Sequence, residues 1–243
     1  MIMVKNNRYR LFLNGFLLFA GVFGGAYAQQ AANLQQIGPT DKAATHAKLK
    51  ATATEAGSGK EIYPMTPYDI SPLLIGEKIE EASLKDADGR SVELAKVFDN
   101  KPTVLVMYRG GWCPYCSKQL SSLQELEPEL IALGYQLVAV STDAPEQLRT
   151  TLEKKELKYT LLSDADLSFA RSLGIAYKAP KEYLQLLPTS TGGMDKDLLL
   201  PVPAVYIVDK TGCIQFEYIN PDFRRRLNGD LLKAAALSLK PFL

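Results

Sequence analysis

The sequence predicts an α/β domain: a central mixed sheet with helices on both faces and a hairpin at its start. Three observations carry this. Strand-like and helix-like patterns alternate as β-α-β-α, then give a strand pair and a final helix. An unbroken apolar run, Thr103-Val104-Leu105-Val106-Met107-Tyr108, has the composition of a strand covered on both faces. Directly after it stands Trp112-Cys113-Pro114-Tyr115-Cys116, with a long amphipathic pattern behind it.

The first 28 residues read as a signal peptide. Lys5, Arg8 and Arg10 form a basic start, Leu11 to Phe23 is largely apolar, and Ala26-Tyr27-Ala28 offers small residues for cleavage after Ala28. An uncleaved membrane anchor is the minor alternative. Cleavage leaves about 215 residues and, with three basic residues removed, takes the net charge from +1 to −2. A near-neutral chain with no basic block is a poor nucleic-acid partner. The placement expected is periplasmic. Gln29 to Asp69 reads as a flexible segment rich in Ala, Gln, Thr and Lys. Asp41 to Glu55 lacks an apolar stripe, and His46, the chain's single histidine, falls there as a solvated residue.

The folded domain is expected over 70–243. Ser83 to Asp86 and Ser91 to Leu94 flank Asp88-Gly89 as a hairpin. Val97 to Pro102 leads into the strand 103–108. Leu120, Leu123, Leu126, Leu130 and Leu133 recur at helical spacing, and Gly134 stops that helix. Gln136 to Ser141 is a second strand. Asp143, ahead of Pro145 and Glu146, reads as the cap of a helix reaching Lys155. A strand at Tyr159–Leu162 and a short helix at Leu167–Leu173 follow. Pro180 to Pro201 reads as loop, Ala204–Val208 and Cys213–Ile219 as strands, and Leu231–Leu239 as the last helix.

With three cysteines, Cys113, Cys116 and Cys213, the chain is no disulfide scaffold. A Cys-x-x-Cys pair can be half a zinc site, a copper site or two core residues. No second pair, no histidine in the folded part and no adjacent methionine speak against the metals. The strand before the pair and the helix after it favour a redox dithiol. Its first cysteine sits at a helix N-terminus, where backbone N–H groups favour a thiolate, and its second lies one turn in. Trp112, Pro114, Tyr115 and Pro203 are the candidate substrate groove. Arg109 is a possible thiolate stabiliser; a surface arginine paired with a carboxylate is the plain alternative. Cys213 reads as a small core residue. No cofactor and no metal are expected.

Tyr108-Arg109-Gly110-Gly111-Trp112-Cys113-Pro114-Tyr115-Cys116, with Leu161-Leu162-Ser163-Asp164 and Tyr206-Ile207-Val208-Asp209, resembles the peroxiredoxin-like branch of the alkyl hydroperoxide reductase/thiol-specific antioxidant family. The resemblance spans about residues 72–239. Asn220-Pro221-Asp222-Phe223 followed by Arg225 is similar to a feature of the same branch. The resemblance implies a thioredoxin-like fold. It also implies that the peroxide-reacting cysteine of peroxiredoxins aligns with Cys116, with a Thr or Ser three residues before it and an Arg near the later strand. Here Cys113 takes the hydroxyl position, and no Arg precedes Tyr206. Val202-Pro203-Ala204 matches the place of the thioredoxin cis-proline, whereas Met107 stands where thioredoxin has a buried Asp.

The expected function is therefore an exported thiol–disulfide oxidoreductase. Cys113 attacks and Cys116 resolves, acting on protein or small-molecule disulfides with an unidentified thiol as electron donor or acceptor. A thiol peroxidase with Cys116 reacting with peroxides is the runner-up, and a non-enzymatic redox-sensing binding module the third reading. Export has its own check: N-terminal sequencing of protein from the periplasmic fraction should begin at Gln29. Retention of Met1 in the membrane fraction would favour the anchor.

Overall fold

The computed structural model describes residues 62–243; the expected signal peptide, the segment from Asp41 to Glu55 and His46 lie outside the described residues. Packing starts earlier than the expected Ile70. Tyr63 is buried, and its hydroxyl donates to Asp197 at 2.9 Å.

The hairpin strands β1 (Ser83–Lys85) and β2 (Ser91–Glu93) pair antiparallel. The stretch read as a lead-in to the next strand is helical: α1 covers Leu94–Asn100 and buries Leu94 and Phe98. Those two residues lie four apart on one face, a spacing too short to register as periodicity in the sequence. Then come β3 (Thr103–Tyr108), α2 (Pro114–Ala132), β4 (Gln136–Ser141), α3 (Pro145–Lys155), β5 (Thr160–Ser163) and α4 (Ser168–Ser172).

The expected loop from Pro180 to Pro201 has structure of its own. Lys181–Tyr183 forms a 3-10 turn and Leu187–Ser190 a one-turn helix, α5. Leu199–Pro201 is a strand, β7, that pairs antiparallel with β6 (Ala176–Lys178). Three-residue strands leave no readable alternation, so the pair was invisible to pattern. Two longer strands, β8 (Ala204–Val208) and β9 (Ile214–Ile219), and the terminal helix α6 (Gly229–Leu239) complete the domain. The Asn228 side chain caps α6 by accepting from Asp230 N–H at 2.7 Å and Leu231 N–H at 3.4 Å.

The main sheet runs β2-β1-β5-β4-β3-β8-β9. β3, β4 and β5 are parallel, and β3–β8 and β8–β9 are antiparallel, which makes the sheet mixed. β3 is central and every residue in it is buried. Period-two alternation divides it between two cores. Val104, Val106 and Tyr108 face the core that holds Cys113 and Cys116, α2 and α6. Leu105 and Met107 face the other. The Tyr135 hydroxyl donates to Ala236 O at 2.7 Å and the Tyr159 hydroxyl to Leu120 O at 2.9 Å, anchoring both helices on the dithiol side.

Asp164 closes the sheet end next to α4. Its buried carboxylate accepts Phe169 N–H at 2.9 Å and Ala170 N–H at 2.8 Å, while burial raises the carboxyl to about 7. Asp164→Ala would strand two buried donors and should lower unfolding stability by about 2–4 kcal/mol. Asp164→Asn keeps one acceptor and should cost less; urea unfolding of the two variants measures the difference.

Candidate active site

β3 ends at Tyr108, and the chain turns through Arg109-Gly110-Gly111-Trp112 onto the first turn of α2. Cys113 is the N-cap residue and Pro114 the first helical residue, a position where the missing proline N–H is of no consequence. Gly111 is required by contact: a Cβ there would lie 2.0 Å from Thr151 Oγ1 on α3. The loop is pinned from the same side, since Gly111 N–H donates to Asp143 Oδ2 at 2.6 Å and Thr142 Oγ1 donates to Arg109 O at 2.9 Å. Asp143 is thus not the cap of α3. Ala144 holds the cap position without a side-chain bond, because the Asp143 carboxylate is turned toward the dithiol loop. Burial raises that carboxyl to about 6. Beside it opens a cleft of about 210 Å³ lined by Gly111, Trp112, Asp143, Thr151 and Lys154, among others.

Both dithiol cysteines are free thiols and buried. They differ electrostatically. The Cys113 thiol is drawn down to about 6, first by a hydrogen bond from the Cys116 thiol. The Cys116 N–H at the helix terminus and the charges of Arg109 and Arg226 pull the same way, against burial. The Cys116 thiol is pushed well above its ordinary value by burial first, then by its bond to Cys113.

Arg109 is buried, which removes the alternative of a surface ion pair; among the described residues its guanidinium nitrogens have no hydrogen-bond acceptor. Three rings surround the charge instead: Tyr183 at 4.2 Å, Phe223 at 4.3 Å and Trp112 at 5.2 Å from ring centroid to guanidinium carbon. Tyr183 belongs to the 3-10 turn and Phe223 to the segment after β9, so Arg109 gathers both around the dithiol loop. Trp112 packs on Tyr183, and Tyr115, partly exposed, meets Phe223 edge to face.

The sequence reading missed Arg226. Its Nη2 donates to Cys116 Sγ at 3.3 Å and its Nη1 to Gln119 Oε1 at 3.0 Å. Arg225, noted in the sequence, stays exposed and pairs with Asp222 at 3.6 Å. In a run of three arginines, pattern does not tell which one turns inward.

The Val202–Pro203 bond is trans, contrary to the cis-proline expected. The chain there is extended from β7 into β8, with Val202 N–H donating to Ile175 O at 2.9 Å, and this path is satisfied by a trans link. Pro203 is buried, one residue before Ala204, which pairs with Met107 near the end of β3. Pro114 and Tyr115 are exposed beside the thiols. Met107 packs on the opposite face of the sheet from the cysteines, so it neither touches nor replaces a proton relay. Cys213 precedes the start of β9, where the sheet pairs with the beginning of β3. That is the far end of a strand about 20 Å long, and a resolving role for Cys213 is excluded by reach. Its sulfur lies within 4.0 Å of Ile214 O.

A model of the AhpC/TSA family matches residues 75–217. The chain belongs to that family. Peroxiredoxin Bcp of Escherichia coli K12 is 33% identical over 106 residues, covering 44% of this chain and 67% of that protein. Chloroplastic peroxiredoxin Q of Gentiana triflora is 30% identical over 163 residues, covering 65% and 67%. Among solved structures, peroxidoxin BcpB of Mycobacterium tuberculosis superposes with a TM-score of 0.56 at 19% identity, over 70% of this chain and 97% of the other. A candidate thiol:disulfide interchange protein DsbE from Chlorobium tepidum gives 0.51 at 17%, over 69% and 99%. These structures establish the thioredoxin-like fold. Membership makes the chain an enzyme of thiol redox chemistry, as the resemblance in the sequence implied.

The charge balance around Cys113 can be read directly. Alkylation of the reduced protein by iodoacetamide should reach half its maximal rate near pH 6, since only the thiolate reacts. Cys116→Ala removes the leading hydrogen bond and Arg109→Met a cation, so each should move that midpoint upward.

Proposed function

We propose that this member of the AhpC/TSA family works as an exported thiol–disulfide oxidoreductase. The observation that carries the reading is the division between its two buried sulfurs. Cys113, at the helix N-terminus and near two guanidinium groups, is the thiolate at neutral pH; Cys116, one turn inside, is held as the thiol. A nucleophile and a resolving group so arranged suit disulfide exchange: Cys113 forms a mixed disulfide with a protein or small-molecule disulfide, and Cys116 displaces the bound half. An unidentified thiol compound restores the dithiol. Trp112, Pro114, Tyr115 and Pro203 surround this end of the sheet and form the groove in the proposal. Export rests on the basic start and the Ala26-Tyr27-Ala28 site.

A second reading, thiol peroxidase, is favoured by two observations. The relatives carry peroxiredoxin names, and Cys116, which occupies the peroxidatic position, receives the Arg226 guanidinium. Against it stands the absence of the Thr or Ser hydroxyl at position 113. Losing one preorganised donor commonly costs ~100-fold or more in rate.

The two readings separate in one pair of variants. Cys116→Ser should accumulate mixed disulfides with partner proteins, and Cys113→Ser should not. In stopped flow the reduced enzyme should consume hydrogen peroxide slowly and a small-molecule disulfide faster. Rapid peroxide reduction that survives in Cys113→Ser and vanishes in Cys116→Ser would establish the peroxidase instead.

A further inference from the structure

The exchange reading leaves one step without chemical support. Once Cys113 is tied up in a mixed disulfide, Cys116 must become a thiolate to attack it. Cys116 is fully buried among Tyr108, Leu120 and Leu123, and burial without a compensating charge makes that anion expensive. Met107, at the position where a proton-accepting group would be sought, faces away from it. The hydrogen bond that Cys116 gives Cys113 is no help, because it ends when the Cys113 sulfur is bonded to the substrate sulfur in the mixed disulfide.

One cation does touch this sulfur. Arg226 Nη2 lies 3.3 Å from Cys116 Sγ, with a donor aimed at it, and Nη1 is fixed at 3.0 Å by Gln119 Oε1. Gln119 is itself buried on α2, one position short of a full turn beyond Cys116. The planar fork of the guanidinium therefore reads both groups in one orientation. Its neighbours in sequence do not compete for the place: Arg224 pairs with Asp222 at 2.8 Å and Arg225 with the same carboxylate at 3.6 Å, both exposed. Arg226 is delivered by a segment anchored elsewhere. Phe223, three residues before it, is clasped between the Arg109 charge at 4.3 Å and the edge of Tyr115 at 5.6 Å, and Asn228 starts α6 two residues after it. The segment lies beyond the residues 75–217 that the family model matches.

We propose that Arg226, oriented by Gln119, is the catalytic residue of the resolving step: it stabilises the Cys116 thiolate that displaces the substrate from Cys113. The proposal rests on the exchange reading. In the sequence of bonds, the Cys113 thiolate attacks a disulfide R–S–S–R, forming a Cys113–S–S–R bond and releasing one R–S⁻, which takes a proton. Cys116 then gives up its proton and its thiolate attacks Cys113 Sγ. The Cys113–Cys116 disulfide forms, the second R–S⁻ leaves, and that thiolate takes the proton. The substrate disulfide gains two electrons and the enzyme dithiol loses them. Read backwards, when a donor thiolate attacks Cys113 of the oxidised enzyme, Cys116 is the leaving group, and the same guanidinium receives its charge. Arg226 thus acts on Cys116 in both directions, beyond the charge it shares with Arg109 at Cys113.

The test follows both steps with 2-hydroxyethyl disulfide, an uncharged probe that offers Arg226 no anion of its own. Reduced full-length enzyme is mixed with it at pH 8, where Cys113 is already thiolate. Acid-quenched samples are read by mass spectrometry for the Cys113 adduct and for the intramolecular disulfide. In Arg226→Ala the adduct should form at a rate within about 3-fold of wild type but persist roughly 10- to 100-fold longer, the range expected for one lost charge-assisted hydrogen bond. Arg226→Lys, which keeps the charge, should recover part of the loss. Arg226→Gln carries the same test if the alanine variant does not fold. An adduct lifetime equal to wild type, or equal slowing of both steps, overturns the role assigned to Arg226. A wild-type enzyme that never forms the adduct at Cys113 overturns the exchange reading itself, and the two failures are distinguishable.

Discussion

A guanidinium taken out of water without a hydrogen-bond acceptor costs several kcal/mol unless other charge density meets it. Arg109 is in that state: buried, its nitrogens unmatched, with ring faces on three sides. Cation–π contacts of about 0.5–2 kcal/mol each offset part of the cost. The Cys113 thiolate, which the Arg109 charge favours, offsets more of it. Much of the catalytic end depends on this. The aromatic shell brings the 3-10 turn at Tyr183 and the segment at Phe223 against the dithiol loop, and the unsatisfied charge favours the thiolate.

From that arrangement the asymmetry of the two sulfurs follows. Cys113 lies at the mouth of the helix, where N–H groups and two cations gather; Cys116 lies a turn deeper against Tyr108 and Leu120, where burial dominates. Proximity alone would not divide the roles, since both thiols are buried. The hydrogen bond between them reinforces the division, lowering the acceptor and raising the donor. A pair built this way holds one charge rather than two at neutral pH.

The parts of this site that were legible in the sequence are those encoded locally. β3 announces itself because a strand covered on both faces must be apolar throughout, and Cys113 and Cys116 are placed by two short-range facts, a preceding strand and a following helix. The order of elements pointed to a mixed sheet with helices on both faces, and the family resemblance implied that it is thioredoxin-like. What was not legible depends on distant contacts. Asp143 has the look of a helix cap, but its carboxylate is claimed by Gly111 N–H across 32 positions. α1, β6 and β7 are too short to display a period. Pro203 sits where a cis bond was expected, yet the extended path from β7 to β8 is met by a trans one. Arg226 reaches Cys116 over 110 positions, a separation no local pattern encodes.

This distance also bears on how the family framework has been altered here. The peroxiredoxin-like resemblance leads one to look for a hydroxyl three residues before Cys116 and a guanidinium near the later strand. The first position holds a second thiol, and the second holds Pro203-Ala204. In the function proposed here, a thiol in place of a hydroxyl turns a hydrogen-bonding group into a redox partner one helical turn from its mate, so that oxidation would end in a bond within a single turn of α2. A guanidinium still meets Cys116, but from the segment between β9 and α6. Its dependence on Phe223, and through Phe223 on Arg109 and Tyr115, ties the environment of the inner sulfur to the packing around the outer one. Arg109 is held by the aromatic cluster, and Arg226 follows Phe223 of that cluster by three residues, so a substrate that displaces Phe223 on docking would bear on both cations together.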